Sequence, residues 1–231
     1  MFLIQARMGS SRLPGKSLMR LYKDYSLLEI IYLRTLLSKY ATKSNIVILT
    51  STEENDEPIY NFCKDKNINC FRGPNLNVRE RYLKFFDSLE NLPEYFIRIC
   101  ADNPFLEPIF IDRMIEFYEN NKLYDYVSYM TSNNIPSIKT KYGFFAELIK
   151  TKTFLNINSN SLSSNDIEHI TPIFYNNTIF NNYFFRIEED IESLKVKLSI
   201  DTIDDFNYCK DIFKKLNKID FTYLEVLNAI R

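Results

Sequence analysis

The chain has 231 residues, of which 45% are hydrophobic and 26% charged, a balance that excludes a disordered chain and a collagen-like fibre. Lys and Arg total 29 against 30 Asp and Glu, so the formal net charge is −1. This near-neutral chain lacks the positive surface that binds nucleic-acid phosphates, so we expect no nucleic-acid partner, and any cationic site must be local.

The remaining global features predict a cytoplasmic protein with no membrane partner. The four cysteines form no C-x-x-C pair, and His169 is the only histidine, so a zinc site is not indicated. The first residues lack the basic segment and apolar core of a signal peptide, and no run approaches the roughly 20 apolar residues that cross a bilayer. The length fits a single domain over residues 1–231.

Hydrophobic patterns predict strands that alternate with helices. In chain order, the first half predicts strand Met1–Ala6, a helix begun by the capping box Ser26–Glu29, strand Asn45–Thr50, helix Asp56–Asn67, strand Ile68–Arg72, helix Val78–Leu89 and strand Tyr95–Cys100. The second half predicts helix Pro108–Asn121, strand Tyr124–Tyr129, loops Thr131–Lys141 and Asn156–Asn165, strand Lys195–Ile200 and helix Thr202–Leu216. This alternation indicates an α/β fold, a mostly parallel sheet with helices on both faces.

Ligands of parallel sheets bind beyond the carboxyl ends of the strands. Three segments stand at such ends, Arg7–Lys16, Ser51–Asn55 and Ala101–Phe105. The first is at least ten residues long, which exceeds the usual connection between a strand and its helix. That length indicates a loop that binds a ligand.

The chemistry of this loop indicates phosphate binding. From Gln5 to Lys16 it reads QARMGSSRLPGK, with three cations, two serines and two of the four glycines. Glycines let backbone N–H groups approach phosphate oxygens, while arginines and Lys16 supply positive charge. It is not a G-x-x-x-x-G-K-S/T loop, because Gly9 and Gly15 are six positions apart, one more than that motif allows.

The loop resembles the signature of the cytidylyltransferase family, which includes acylneuraminate and deoxy-octulosonate cytidylyltransferases. The spore-coat polysaccharide biosynthesis branch carries a similar Q-A-R-M-G-S-x-R-L-P-G-K start. Four further motifs follow in the family's order: Phe71–Gly73 with Arg81–Tyr82, Ala101–Pro104, Glu168–Pro172 and Leu198–Thr202. They resemble the second nucleotide-side motif and the G-D-x-P, E-H-x-T-P and L-x-x-D-T motifs, with Ala101 in place of the usual glycine.

This resemblance implies a Rossmann-like nucleotidyltransferase fold and Mg²⁺-dependent transfer of CMP from CTP to a sugar acid or related glycan precursor, with release of pyrophosphate. It further implies a homodimer, with an acceptor-side and dimerisation region around residues 130–190. Nucleotide-binding residues are predicted at Gln5, Ala6, Arg7, Gly9, Ser10, Ser11, Arg12, Lys16, Ser51, Arg81 and Ala101.

Four residues are predicted to be catalytic, Arg12, Lys16, Asp102 and Asp201. The two cations bind the triphosphate, and Lys16 stabilises charge near the leaving group. The two aspartates are candidate Mg²⁺ ligands, since Mg²⁺ takes one or two carboxylates besides phosphate oxygens and waters. Alternatively, Asp102 forms an Asx turn or a cap before Pro104, and Asp201 caps the following helix.

The acceptor side is predicted from Gly143, Glu147, Glu168 and His169. Gly143–Glu147 resembles a G-F-D-V-E motif, but Phe145 stands where the branch carries Asp, which removes a carboxylate and bears on the acceptor more than on the reaction. His169 is either a general base or a structural hydrogen-bonding residue. Arg98, unusual inside a strand, either reaches the site or pairs with a buried carboxylate.

Three other functions remain open at this point. One is a nucleotidyltransferase that uses another nucleoside triphosphate, or an alditol or sugar phosphate acceptor. Another is a glycosyltransferase, although those enzymes usually bind their nucleotide sugar through a D-x-D motif, which this sequence lacks. The third is a non-catalytic binding protein, against which the presence of Lys16, Asp102 and Asp201 argues.

Overall fold

The computed structural model describes residues 1–194 and 196–231. Its strands are β1 (Phe2–Gln5), β2 (Arg20–Tyr22), β3 (Tyr25–Ser26), β4 (Ile46–Ser51), β5 (Asn69–Gly73), β6 (Tyr95–Cys100), β7 (Tyr126–Met130), β8 (Glu147–Lys150) and β9 (Asn182–Arg186). Its helices are α1 (Leu27–Thr35), α2 (Glu57–Asp65), α3 (Val78–Asp87), α4 (Pro108–Asn120), α5 (Thr151–Asn156), α6 (Ser164–His169), α7 (Pro172–Tyr175), α8 (Glu189–Leu194), α9 (Ile203–Leu216) and α10 (Tyr223–Ile230).

Seven of these strands form one sheet in the order β5-β4-β1-β6-β8-β7-β9. Strands β5, β4, β1 and β6 are mutually parallel, β8 runs antiparallel to both of its neighbours, and β9 is parallel to β7. Strands β2 and β3 form a separate antiparallel pair. The predicted α/β fold with a mostly parallel sheet is therefore confirmed.

Helices cover both faces of the sheet, as the alternation along β1 shows. Phe2 and Ile4 belong to a core cluster with residues of α1, α2, α4, α9 and α10. Leu3 points to the opposite face and belongs to a second cluster with residues of α3, α5 and α7. Successive side chains of a strand lie on opposite faces, so a strand buried on both sides reads as a continuous apolar run.

The sheet order brings three predicted ligand segments to one edge. Strands β4, β1 and β6 are adjacent and parallel, so their carboxyl ends lie side by side. The segments at these ends are Arg7–Lys16, Ser51–Asn55, whose first residue closes β4, and Ala101–Phe105. No helix in residues 1–194 and 196–231 has the length and apolar character to cross a membrane.

The predicted strand Lys195–Ile200 is wrong over residues 196–200, which form no strand, while Lys195 lies outside the described residues. The N–H groups of Leu198 and Ser199 both donate to the carbonyl of Lys141, at 2.7 and 3.2 Å. Ile200 N–H donates to the carbonyl of Asp102 at 2.8 Å. The segment therefore crosses the end of the sheet and satisfies its backbone there, instead of pairing with a strand.

Other differences concern short elements. Sequence patterns missed the β2–β3 pair and strands β8 and β9, each of five residues or fewer. The predicted capping box at α1 is half present, because Ser26 accepts from Glu29 N–H at 3.2 Å while the Glu29 carboxylate pairs with Lys66 at 2.8 Å. The predicted loop Asn156–Asn165 contains a 3₁₀ turn and the start of α6.

Candidate active site

The loop after β1 folds around the carbonyl of Met8. This oxygen accepts hydrogen bonds from Ser10 N–H and Gly15 N–H, both at 2.9 Å. Gly15 has a φ of +76°, a left-handed conformation that glycine adopts without strain. The Ser17 hydroxyl donates to the Arg7 carbonyl at 3.0 Å. These contacts shape the loop before any ligand binds.

A buried carboxylate, Asp56, ties the loop to the end of β4. It accepts from Met8 N–H at 2.6 Å and from the Ser51 hydroxyl. Ser51, a predicted nucleotide-binding residue, is itself buried and lies beneath the loop. Sequence analysis missed Asp56, whose position at the start of α2 resembles that of an ordinary helix-terminal acidic residue.

The loop forms one wall of a cleft of about 260 Å³. Eight predicted nucleotide-binding residues line it: Gln5, Ala6, Arg7, Ser10, Ser11, Arg12, Lys16 and Ala101. Glu168, predicted on the acceptor side, also lines this cleft, where its carboxylate pairs with Arg7 at 3.2 Å. The loop thus presents three cations and two serine hydroxyls to the cleft, which suit a triphosphate.

Three predicted nucleotide-binding residues line neither this cleft nor its neighbour: Gly9, Ser51 and Arg81. Arg81 is buried and donates to the carbonyls of Pro74 and Asn75, both at 2.9 Å. A Cβ on Gly73 would stand 2.8 Å from Arg81 Cγ, so glycine permits this close packing. The guanidinium of Arg81 therefore shapes the turn after β5.

A second cleft of about 380 Å³ adjoins the first. Gly143 and His169, both predicted on the acceptor side, line it, as do Lys139 and Lys141 from the predicted loop Thr131–Lys141. Gly143 has a φ of +73°, and a Cβ there would lie 3.0 Å from the backbone carbonyl carbon of Leu198. Only glycine fits both the conformation and the contact.

Five residues line both clefts: Arg98, Cys100, Asp102, His169 and Asp201. They form the shared wall, and both predicted Mg²⁺ ligands belong to it. Burial raises the pKa of the Cys100 thiol to about 12, so that thiol is uncharged at neutral pH. The Cys100 thiol therefore adds no charge to the shared wall.

Lys16 connects the phosphate loop to the shared wall. Its Nζ lies 3.7 Å from Asp102 Oδ2 and donates to the carbonyl of Ile200. Among the described residues, this ion pair is the sole polar contact of the Asp102 carboxylate. The predicted alternative of an Asx turn is therefore not what the structure shows, and Glu107 rather than Asp102 caps α4.

Cations from two sides surround Asp201. Its carboxylate pairs with Arg12 at 2.8 Å and with Lys141 at 2.7 Å. Burial raises the pKa of Asp201, but the hydrogen bond from Lys141 and the charges of Lys141, Arg12 and Lys16 outweigh burial and hold the pKa below its ordinary value. Asp201 is therefore ionised at neutral pH.

The helix-cap alternative for Asp201 is also not what the structure shows. Thr202 caps α9, in a capping box with Asp205. The Asp205 carboxylate accepts from the N–H groups of Asp201 and Thr202, at 2.9 and 2.8 Å. Asp205 therefore fixes the backbone of Asp201 and leaves the Asp201 side chain to face the clefts.

The donor set of the shared wall fits Mg²⁺ bound together with a nucleotide. Within residues 1–194 and 196–231 no three His, Cys, Asp or Glu side chains cluster as a metal cage. Mg²⁺ does not need such a cage, because it takes one or two carboxylates and completes its shell with phosphate oxygens and waters. Asp102 and Asp201, on a wall shared with the phosphate cleft, offer that pair.

With this geometry in place, comparison with known proteins identifies the family. Residues 1–228 match the cytidylyltransferase family. The chain belongs to the cytidylyltransferase family. The predicted resemblance and the nucleotidyltransferase activity are thereby confirmed, and CTP is the nucleotide that such enzymes use to transfer CMP.

Individual relatives support this assignment over the full chain. The spore coat polysaccharide biosynthesis protein SpsF of Bacillus subtilis strain 168 is 30% identical over 220 residues, covering 93% of this chain and 86% of SpsF. A cytidylyltransferase from Leptospira borgpetersenii serovar Hardjo-bovis has a TM-score of 0.86 at 25% identity, covering 99% of this chain and 92% of that one. CMP:2-keto-3-deoxy-manno-octonic acid synthetase complexed with CTP shares the fold, with a TM-score of 0.69 at 13% identity over 93% of this chain and 98% of that one.

Two residues of the motif predicted on the acceptor side, Phe145 and Glu147, are packed against other side chains. Phe145 lines the second cleft but stacks on Phe110, with ring centroids 5.1 Å apart, and packs against Tyr129. Glu147 is buried, lines neither cleft, and forms an ion pair with Arg98. Arg98 thus fulfils both alternatives left open by the sequence, since it pairs with a buried carboxylate and also lines the clefts.

Proposed function

We propose that this cytidylyltransferase transfers CMP from CTP to a hydroxyl of a sugar acid or related glycan precursor, with release of pyrophosphate. The shared wall carries this proposal. It joins a cleft rich in phosphate-binding groups to a second cleft of suitable size for a small acceptor, and it holds the side chains of both Asp102 and Asp201. Both substrates can then meet at one place.

The first cleft suits the triphosphate of CTP. Arg7 and Arg12 offer guanidinium groups, Ser10 and Ser11 offer neutral donors, and Lys16 reaches from the loop to Asp102. Lys16 is only 12% exposed, so its charge acts in a site with little competing water. These residues would hold the β- and γ-phosphates and leave the α-phosphate towards the shared wall.

In the proposed step, the acceptor hydroxyl oxygen bonds to the α-phosphorus of CTP. The bond from that phosphorus to the oxygen bridging to the β-phosphate breaks, and its electron pair leaves with pyrophosphate. Lys16 stabilises the charge that develops on the leaving group. His169 lines both clefts and supplies an imidazole that can accept the hydroxyl proton.

Asp102 and Asp201 would hold Mg²⁺ on the shared wall. When bound there, the ion neutralises phosphate charge and makes the α-phosphorus more open to attack. Arg12 and Lys141 already balance the charge of Asp201, and Lys16 balances that of Asp102. Binding of the triphosphate gives these three cations phosphate oxygens as alternative partners, which frees the carboxylates for the metal.

The acceptor assignment rests on the composition of the second cleft. Lys139 and Lys141 supply positive charge at its rim, while Phe145 and Tyr175 supply aromatic surface. This combination suits a polar anionic molecule with an apolar face, as a sugar acid has. The relation to SpsF, named for spore coat polysaccharide biosynthesis, supports a glycan precursor as the product's destination.

We further propose that the enzyme works in the cytoplasm as a homodimer through the region around residues 130–190. All four cysteines are free thiols, which suits a reducing compartment. In the dimerisation region, β9 forms an edge of the sheet and Ile179 is 80% exposed. Light scattering on the wild type and on Ile179→Lys would test the dimer, which we expect only for the wild type.

Pyrophosphate release tests the proposed reaction. The assay compares CTP, ATP, GTP and UTP with Mg²⁺ across sugar acids, sugar phosphates and alditol phosphates. We expect release that needs both CTP and an acidic sugar acceptor. Release with alditol phosphates alone would contradict the sugar-acid acceptor and assign an alditol phosphate instead. Release without any acceptor would mean that water receives the CMP.

A further inference from the structure

A buried arginine lies where the two clefts meet. Arg98, in β6, is 3% exposed and lines both clefts. Its side-chain hydrogen bonds among the described residues come from Nη1 alone, which donates to Glu147 Oε2 and to Thr171 Oγ1. Among the described residues, Nε has no partner and Nη2 makes no hydrogen bond. Since a guanidinium carries five N–H donors, most of the capacity of Arg98 is unused.

Glu147 holds this arginine in one orientation. Arg98 and Glu147 are directly opposite in the antiparallel pairing of β6 with β8. The other carboxylate oxygen of Glu147 accepts from the Tyr126 hydroxyl at 2.5 Å, from neighbouring strand β7. Three adjacent strands therefore fix the guanidinium, and a site on rigid strands is positioned more accurately than one on loops.

Stability alone does not account for this arrangement. Two buried charges lose their hydration, and replacing such a pair by apolar residues is often neutral or stabilising. A buried donor without a partner, like Arg98 Nε, is a further cost. A ligand that supplies an anionic oxygen would satisfy the remaining donors, and a planar guanidinium suits a carboxylate or a phosphate.

The charges of the second cleft indicate that the acceptor, rather than the nucleotide, carries this anionic group. The phosphate cleft already has Arg7, Arg12 and Lys16 for the triphosphate. In the second cleft Lys141 pairs with Asp201 at 2.7 Å, whereas Lys139 has no carboxylate partner among the described residues and lies over the ring of Tyr175 at 4.8 Å. Unsatisfied positive charge therefore remains on the acceptor side.

We propose that Arg98, oriented by Glu147, binds an anionic oxygen of the acceptor next to the hydroxyl that receives CMP, and so selects acceptors with a carboxylate or phosphate at that position. The proposal rests on the proposed function, because it takes the second cleft as the acceptor site. In this proposal Arg98 contacts the acceptor directly, and Glu147 is a positioning residue that acts through Arg98.

Equilibrium binding tests the proposal without turnover. The protein is saturated with α,β-methylene CTP and Mg²⁺, and calorimetry measures four probes: 2-keto-3-deoxy-manno-octonic acid, its methyl ester, glycerol 3-phosphate and glycerol. For at least one pair we expect the anion to bind about 10- to 100-fold more tightly than its neutral partner, as a charge-assisted contact gives. The carboxylate and phosphate pairs distinguish the two sources of the anion.

Variants separate recognition from folding. Arg98→Gln/Glu147→Gln removes both buried charges together and should abolish the preference for the anion, while affinity for the CTP analogue and melting temperature stay near wild type. Glu147→Gln alone should weaken the preference, because the charge remains but its orientation does not. The control Arg113→Gln/Glu188→Gln removes an ion pair of 2.6 Å that lines neither cleft, and should retain the preference.

An equal affinity for anionic and neutral probes, or no binding of either, would overturn the proposal. So would an undiminished preference in a folded Arg98→Gln/Glu147→Gln variant; if that variant fails to fold, Arg98→Lys, which keeps the charge but loses the planar fork, must reduce the preference. Anion-selective binding without pyrophosphate release from CTP and any acceptor would instead contradict the proposed function and leave the binding assignment intact.

Discussion

Ile200 N–H donates to the carbonyl oxygen of Asp102 at 2.8 Å, and this single backbone hydrogen bond joins two distant parts of the chain. It places Asp201, the next residue, beside Asp102 on the wall that both clefts share. Lys16 reinforces the junction, because it contacts Asp102 and the carbonyl of Ile200. The proposed metal site therefore depends on a chain crossing at the edge of the sheet.

The two aspartates should act as one unit if they share Mg²⁺. We expect Asp102→Asn and Asp201→Asn each to shift the Mg²⁺ midpoint of pyrophosphate release upward and to lower turnover. The double variant should lose much less than the product of the two single losses, since groups that act together are strongly non-additive. Pyrophosphate release against Mg²⁺ concentration for the wild type and three variants measures this.

Asn keeps the size of Asp, so these variants test charge rather than packing. Asp204→Asn, in the first turn of α9 and outside both clefts, is a suitable control and should leave the midpoint unchanged. Independent, multiplicative losses would contradict a shared site. Unchanged Mg²⁺ midpoints in both single variants would also contradict it.

Gly143→Ala tests the packing of the segment that carries Asp201 across the end of the sheet. The φ of +73° and the 3.0 Å approach of a Cβ to the Leu198 backbone predict a loss of about 1–3 kcal/mol in the free energy of unfolding. The displaced segment also carries Asp201, so turnover should fall as well. Urea unfolding measures the first effect, with Gly9→Ala as the control, because nothing lies within 4 Å of a Cβ at Gly9. Equal free energies of unfolding for Gly143→Ala and the wild type would contradict the claim that only glycine fits beside the Leu198 backbone.

The elements that sequence patterns predicted best are those buried on both faces of the sheet. Strand β6 was predicted at its observed bounds, Tyr95–Cys100, because five of its six residues, all except Arg98, are apolar or aromatic. Strand β8, only four residues long, gave no comparable signal, and it follows Phe144–Ala146, which are equally apolar without being a strand. Pairing with β6 and β7, not local sequence, makes it a strand.

In the candidate site, too, the local features were predicted and the contacts between distant segments were not. Motif residues of the phosphate loop line the first cleft, because the loop is local and its position follows from β1. The contacts of Lys141 with Asp201 and of Glu147 with Arg98 join segments that are distant in sequence, so residue types alone did not predict them. Both lysines of the second cleft lie in a segment predicted only as a loop, and their charge was the one available signal.

Lys16→Ala should reduce turnover without loss of the fold. Lys16 begins a short 3₁₀ turn after the phosphate loop, and its side chain contacts Asp102 and the Ile200 carbonyl rather than the apolar core. In the proposed step its charge lies near the leaving group. Removal of one group that stabilises developing charge costs about 100- to 1,000-fold in turnover. Steady-state pyrophosphate release and thermal melting measure the two effects. Near-normal turnover in a variant with wild-type melting would remove Lys16 from the mechanism.

Asp205→Asn should cost stability in a pH-dependent way. Burial raises the pKa of Asp205, but the hydrogen bonds from Lys197, Asp201 N–H and Thr202 N–H outweigh burial and lower the pKa from 3.8 to about 2. A lowered folded-state pKa adds stability above the unfolded-state pKa, and that stability is lost as the pH falls through about 2. The difference between wild type and variant should be constant from pH 7 to 5 and shrink between pH 4 and pH 2. Urea unfolding across this range measures it, and a difference that grows with acidity would contradict the role of Asp205.

The most direct test of CMP transfer to an acidic sugar acceptor traces the phosphorus atoms of labelled CTP into the products. The wild-type enzyme is incubated with Mg²⁺, the acceptors of the pyrophosphate assay, and CTP labelled at either the α- or the γ-phosphorus. The account predicts that α-label passes to an acidic sugar acceptor as a CMP conjugate, while γ-label appears only in pyrophosphate. Transfer of γ-label to the acceptor, or α-label that ends in free CMP with every acceptor, would contradict it.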